Sequence, residues 1–280
     1  MAHVAVVTDS TASLPGGLVE ASGVVVVPLD VVVDGVPHRE GLDITTAQIV
    51  AALRAGAVVR TAHPGPDAFA RAYARVAARG ATEIVSVHLS GELSGTVTSA
   101  QIAAQSAAVP VHVVDSRTVG MGLGFAALRA ARAGSTDGAA VSRAAEACAG
   151  RTTVRFAVDT LEFLRAGGRL GPLAATLGTV LGLRPVLSVR EGRLDVVEKV
   201  RTSARARDRV VELAASDAAR RGRVEMAVHH LGDVASADRV ADRLRAACGA
   251  RLGAVHVAEI SAVVGAHAGP GLLAVVVADA

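Results

Sequence analysis

The residues best suited to chemistry lie in one stretch, His88-Leu89-Ser90-Gly91-Glu92-Leu93-Ser94-Gly95-Thr96-Val97-Thr98-Ser99-Ala100. It follows an apolar run (Ile84, Val85, Val87) that reads as a strand, and it leads into an alanine-rich helix. The first N–H groups of a helix lack intrahelical partners and carry partial positive charge, so a hydroxyl-rich strand-to-helix loop can hold an anion. A phosphate and a carboxylate fit equally. Capping of the helix by Ser94 and Thr96 uses the same residues.

Other spacings fall short of a reaction. Gly91-Glu92-Leu93-Ser94-Gly95 has its serine fourth, whereas a nucleophile elbow needs it in the middle. Gly120-Met121-Gly122-Leu123-Gly124 lacks the third dinucleotide glycine, and no Walker A pattern occurs. The histidines show no metal-ligand spacing beyond the adjacent pair His229-His230, which a strand would turn to opposite faces. Asp9-Ser10 and Asp115-Ser116 each follow a strand, where their carboxylates can bond neighbouring loops. Arg169, just past Gly167-Gly168, could grip a phosphate or a partner's carboxylate. His267, in the stiff segment His267-Ala268-Gly269-Pro270-Gly271, is a loop residue or an anion donor.

The elements that must position these groups are aliphatic. Of 280 residues 51% are hydrophobic but only 2% aromatic, so the core is built from Val, Leu, Ile and Ala. With four Phe, one Tyr and no Trp there is no stacking platform for bases. The net charge of +3 is dispersed, and Arg201, Arg205, Arg207 and Arg209 alternate with Asp208 and Glu212 as on a solvated helix face, so no nucleic-acid partner is expected. Cys148 and Cys248 match no metal spacing and no secretory signal opens the chain, which predicts reduced thiols in a cytoplasmic protein. No apolar run reaches the ~18–20 residues a bilayer requires.

Taken in order, His3–Val7, Val24–Val27, Val31–Val33, Glu83–His88 and Val111–Val114 read as strands. Asp34-Gly35 reads as a tight turn and Thr45…Gln48 as a capping box. Arg60–Pro66 reads as a loop in which His63 and Gly65, each before proline, are extended. The strand–loop–helix order up to about residue 150 predicts a three-layer α/β/α unit with a mainly parallel sheet. Beyond it, Leu187, Val189, Leu194 and Val196 alternate with Ser188, Arg190, Arg193 and Asp195 about the turn Glu191-Gly192. That is an antiparallel hairpin, followed by strands at Val224–Val228, Gly253–Ile260 and Leu272–Val277. The expectation is two domains, 1–155 and 156–280, the second a two-layer α/β unit with a mixed sheet.

Ten segments in register resemble the DegV family, the fatty-acid-binding subunits of bacterial fatty acid kinase. Among them are Val7-Thr8-Asp9-Ser10-Thr11, Thr61-Ala62-His63-Pro64, Leu93-Ser94-Gly95-Thr96, Asp159-Thr160-Leu161-Glu162-Phe163-Leu164, Gly167-Gly168-Arg169 and Gly265-Ala266-His267-Ala268-Gly269-Pro270-Gly271. The resemblance implies a carrier without chemistry of its own. It would bind a long-chain fatty acid, with no other cofactor and no metal, and present the carboxylate to a separate ATP-binding kinase. The acyl-phosphate formed would feed phospholipid synthesis. Thr61, Ser94 and His267 match the family's carboxylate contacts, Asp9, Ser10, His63 and Thr96 would stand behind them, and Arg169 matches an arginine linked to the kinase step. The acyl tunnel is expected along Leu161, Phe163, Leu164, Leu170, Leu173, Leu177 and Val180. Three positions depart from the pattern: Ala62-His63 where Ser-Gln is usual, Val97 where an aromatic is common, and Gly171 where serine is common. The rival is an enzyme that uses the Ser94 loop on a small phosphorylated or carbonyl substrate, recognisable by a polar cleft with a metal or a perturbed base.

Overall fold

A computed structural model describes residues 3–171 and 182–280. The chain opens with β1 (Val4–Asp9), α1 (Gly16–Ser22), β2 (Val25–Val27), β3 (Asp30–Val33) and β4 (Val36–Arg39). Next come α2 (Thr46–Arg54), β5 (Val59–Ala62), α3 (Pro66–Ala78), β6 (Glu83–His88), α4 (Thr96–Ala104), β7 (Val111–Asp115), α5 (Met121–Ala131) and α6 (Gly138–Arg151). The rest comprises β8 (Thr153–Ala157), α7 (Glu162–Ala166), β9 (Arg184–Arg190), β10 (Arg193–Val200), α8 (Ser203–Ala219), β11 (Val224–His230), α9 (Val234–Cys248), β12 (Leu252–Glu259), α10 (Ala262–Ala268) and β13 (Leu273–Asp279).

The all-parallel sheet has the order β2-β1-β6-β7. Phe69, Tyr73, Ala100 and Ala103 of α3 and α4 cover one face, and Leu123, Ala127, Val141 and Ala145 of α5 and α6 cover the other. The second sheet is mixed, β10-β9-β8-β13-β11-β12. Its central strands are apolar on both faces. Val224, Met226 and Val228 pack with α8 and α9, while Ala227 and Leu231 join Val154, Phe156 and α5 in a core shared between the two bodies. The hairpin obeys its alternation, since Leu187, Val189, Leu194 and Val196 all enter that shared core. On its other face Arg190 and Arg193 are exposed but Ser188 is buried, and β10 continues past a bulge at Val196/Glu198.

The capping box forms as read: the Thr45 hydroxyl accepts from Gln48 N while the Gln48 side chain accepts from Thr45 N. Asp34 and Gly35 both have positive φ, as a tight hairpin turn requires. A third, antiparallel sheet, β4-β3-β5, corrects the reading of Arg60–Pro66 as all loop. Val59–Ala62 is a strand, with Thr61 opposite Val31, and only the proline-bearing part after it is irregular. The segment alone is too short to show period-2 patterning. Pairing with β3 supplies the order.

Candidate functional site

In the parallel sheet the chain steps to one side from β1 to β2 and to the other side at β6, so the crevice beyond the carboxyl ends of β1 and β6 is the topological switch point where open α/β sheets take ligands. Two loops leave there: residues 10–15, and the hydroxyl-rich loop 89–95. Asp9 ties them together. One carboxylate oxygen accepts from Thr11 N, and the other from His88 Nδ1 at 3.0 Å and Leu89 N at 3.1 Å. Behind Asp9 the chain of bonds continues: Ser86 Oγ lies 2.7 Å from His88 Nε2, and the Tyr73 hydroxyl donates to Ser86 Oγ at 2.9 Å. Ser86, His88 and Asp9 thus have the connectivity of a hydrolytic triad. All three are fully buried, and burial pushes the Tyr73 hydroxyl up to about 12, so this is a clamp closed to substrate.

The loop is also held from the second body. Ser90 Oγ donates to Gly192 O at 2.7 Å, and Arg193 pairs with Glu92 at 2.9 Å, so the hairpin turn rests on residues 90–92.

Beside this loop, between the two sheets, lies a cavity of about 100 Å³. Thr61, His63, Ser94, Arg169 and His267 all line it. Their contacts close a ring. Thr61 Oγ1 lies 2.7 Å from His267 Nε2. The far edge of that imidazole abuts Gly167, where an added methyl group would come within 2.0 Å of Nδ1. Arg169 Nη1 donates to Gly167 O at 2.6 Å and its Nε to Leu93 O at 3.3 Å. Ser94 follows, bonded to Thr96 Oγ1 at 2.9 Å. Gly95 then packs against the His63 ring, two residues from Thr61. Burial first, and the Arg169 charge second, lower His267 to about 4, so it is neutral at physiological pH. Burial also lowers Arg169, which stays charged.

The remaining wall is apolar, with Val154, Phe156, Val189 and Leu194 from the mixed sheet, Leu164 from α7, Val263 from α10, and loop residues of the parallel body completing it. This corrects the expected lining. Leu164 is part of it, but Leu161 and Leu170 pack into the shared core, and Phe163 lies against Gly269. Leu173, Leu177 and Val180 lie outside the described residues. The sheet strands were legible as buried, yet nothing local says which buried face looks onto a cavity.

Three supporting residues stand elsewhere. Thr96 is fully buried behind Ser94. Asp9 and Ser10 lie off the cavity and reach it through Leu89 N and Leu29 N, whose side chains line it. Sequence reasoning missed His229 and Gly120. His229 lines the cavity with Nε2 accepting from Met121 N at 2.9 Å and Nδ1 facing Ala258 O at 3.1 Å. The ring crowds Gly120, whose positive φ of 63° also favours glycine. Among the described residues no group of His, Cys, Asp and Glu could hold a metal ion, and no helix is long and apolar enough to cross a membrane.

A parallel three-layer body and a mixed-sheet body, meeting over an apolar cavity with a hydroxyl–imidazole ring, define the class. A family model described as an uncharacterised protein of the DegV family matches residues 3–280, and the chain belongs to that family. A DegV domain-containing protein of Streptomyces coelicolor is 47% identical over 280 residues, 99% of each chain. A solved DegV family protein of Thermus thermophilus, described by its fatty acid binding, is 36% identical with a TM-score of 0.86 over 99% of each chain. DegV of Bacillus subtilis, described as a fatty acid binding protein, is 27% identical with a TM-score of 0.92 over 100% of each chain.

Proposed function

We propose that this chain binds a long-chain fatty acid, anchors the carboxylate on Thr61, Ser94 and His267, and seats the tail in the apolar cavity. The observation that carries the reading is one cavity with a polar ring on one wall and apolar residues on the others. The solved relatives described as fatty-acid-binding support it.

The chemistry fits a carboxylate. A buried anion must be compensated by donors. If His267 carries its proton on Nε2 it donates to Thr61, which leaves the Thr61 hydroxyl hydrogen for the ligand. With Thr96 Oγ1 as donor to Ser94 Oγ, Ser94 likewise donates outward. Arg169 supplies the nearby positive charge. The tail supplies affinity, at ~0.8 kcal/mol per buried CH₂ before the losses of association.

In this reading the chain is a carrier, not an enzyme. It would present the carboxylate to a separate ATP-dependent fatty acid kinase, with Arg169 at the contact, for acyl-phosphate formation that feeds phospholipid synthesis. Its place would be the cytoplasm, where two buried free cysteines suit a reducing compartment. The division at 155 separates the head-group loops, mostly in 1–155, from the tail-lining sheet of 156–280. All strands of the parallel sheet precede Ser116 and the mixed sheet starts at Thr153, which supports a division close to 155 but ahead of β8.

The test is to extract purified protein with organic solvent and identify the lipid by mass. A long-chain fatty acid at near-equimolar amount is expected. Absence of any fatty acid, together with no uptake of added palmitate, overturns the proposal.

A further inference from the structure

We propose that Glu40 is the positioning residue for His267: its carboxylate fixes the first turn of α10 against the β1 loop, one turn ahead of the imidazole that meets Thr61. The inference deepens the fatty-acid reading and rests on it.

Glu40 is only 9% exposed, and among the described residues no arginine, lysine or histidine forms an ion pair with it. A carboxylate in that setting is unfavourable unless donors surround it. Burial pushes its carboxyl above the usual range, and donors from two segments, Ser10 after β1 and residues 261–263 at the start of α10, oppose that shift. Ser10 Oγ donates to Oε2 at 2.5 Å, and Val263 N to Oε1 at 3.3 Å. Ser10 Oγ in turn accepts from Leu29 N at 3.0 Å, and Glu40 N donates to Leu29 O at 2.9 Å. Glu40 does not touch the cavity, yet Leu29, Val263 and His267 all line it.

The reach to the head group is short. Val263 and His267 are four residues apart on α10, one helical turn. A seven-residue helix has little intrinsic stability, so its placement depends on what holds it. Ala262 and Val263 pack on Leu29, Val31 and Ile49, and polar or close contacts add to this: Glu40 on Val263 N, Ser13 Oγ accepting from Ser261 N at 3.0 Å, and Gly167 against the His267 ring.

The experiment uses the full chain and palmitate. Glu40→Ala is expected to weaken palmitate binding roughly tenfold, and Glu40→Gln, which can still accept from Val263 N and donate to Ser10, to stay within about threefold of wild type. In a His267→Ala background, Glu40→Ala should change affinity by less than about twofold, because the residue it acts through is gone. Losses that multiply in the double variant, or a folded Glu40→Ala protein that binds as wild type, overturn the proposal. Should Glu40→Ala not fold, Glu40→Asp, one methylene short of α10, takes its place with the same expectations. Nitrogen-15 spectra of labelled histidine give a readout free of ligand: Glu40→Ala should move the His267 Nε2 resonance, identified by its loss in His267→Ala, and leave that of His229 in place. An unmoved His267 signal overturns the positioning role. If wild-type protein takes up no palmitate while the His267 signal still moves, the fatty-acid reading falls and the positioning of His267 stands.

Discussion

Two hydroxyls and one imidazole define the proposed anchor, and a partner behind each hydroxyl can free its hydrogen for the ligand. Thr61 is backed by His267 at 2.7 Å and Ser94 by Thr96 at 2.9 Å. A hydrogen bond to a charged acceptor contributes more than a neutral one. Thr61→Ala and Ser94→Ala are each expected to weaken palmitate binding by roughly 1–3 kcal/mol in calorimetry. An unchanged affinity in the double variant removes both from the anchor. Thr61, Ser94, Arg169 and His267, singled out by their motifs, line one cavity. Glu40, His229 and Gly120 were not singled out, because their importance lies in what a neighbour distant in sequence brings against them.

Among the elements, the outer hairpin β9–β10 and the five-residue α7 are the walls with least support. The hairpin is the edge of its sheet, and α7 is a turn and a half long. The cavity of about 100 Å³ is smaller than the ~300–1,000 Å³ of pockets that bury a drug-sized ligand, so a long tail must part these walls. Leu164 and Leu194 stand on them and line the cavity. Palmitate should therefore slow amide hydrogen exchange in Glu162–Ala166 and Arg184–Val200 while leaving β1 and β6 as they are. Equal change across both sheets would place the tail elsewhere.

For the molecule as a whole, acid is the predicted weakness. Burial holds His229 and His267 at about 4, whereas a histidine in the unfolded chain titrates near 6.5. Between those values the unfolded state binds more protons, so stability falls as pH drops from about 6.5 toward 4 and is level above. For fully buried His229 the loss by pH 5 is about 2 kcal/mol, and His267 adds in the same direction. Urea midpoints at pH 7.5 and 5.0 measure it. The drop should shrink in His229→Gln, and equal midpoints in the wild-type protein would contradict the assignment.

The fold class was legible in local pattern. Period-2 alternation at Leu187–Val196, the Thr45–Gln48 box and the Asp34-Gly35 turn are local rules, and each formed as its residues required. The hydroxyl-rich loop after β6 was legible in the same way. Which groups meet was not. Thr61 and His267 are 206 positions apart, Val263 and Glu40 are 223, and β5 becomes a strand by pairing with β3. Such contacts arise when separate elements pack and close long loops, and they are set by the shape of the assembled core, which no local pattern encodes.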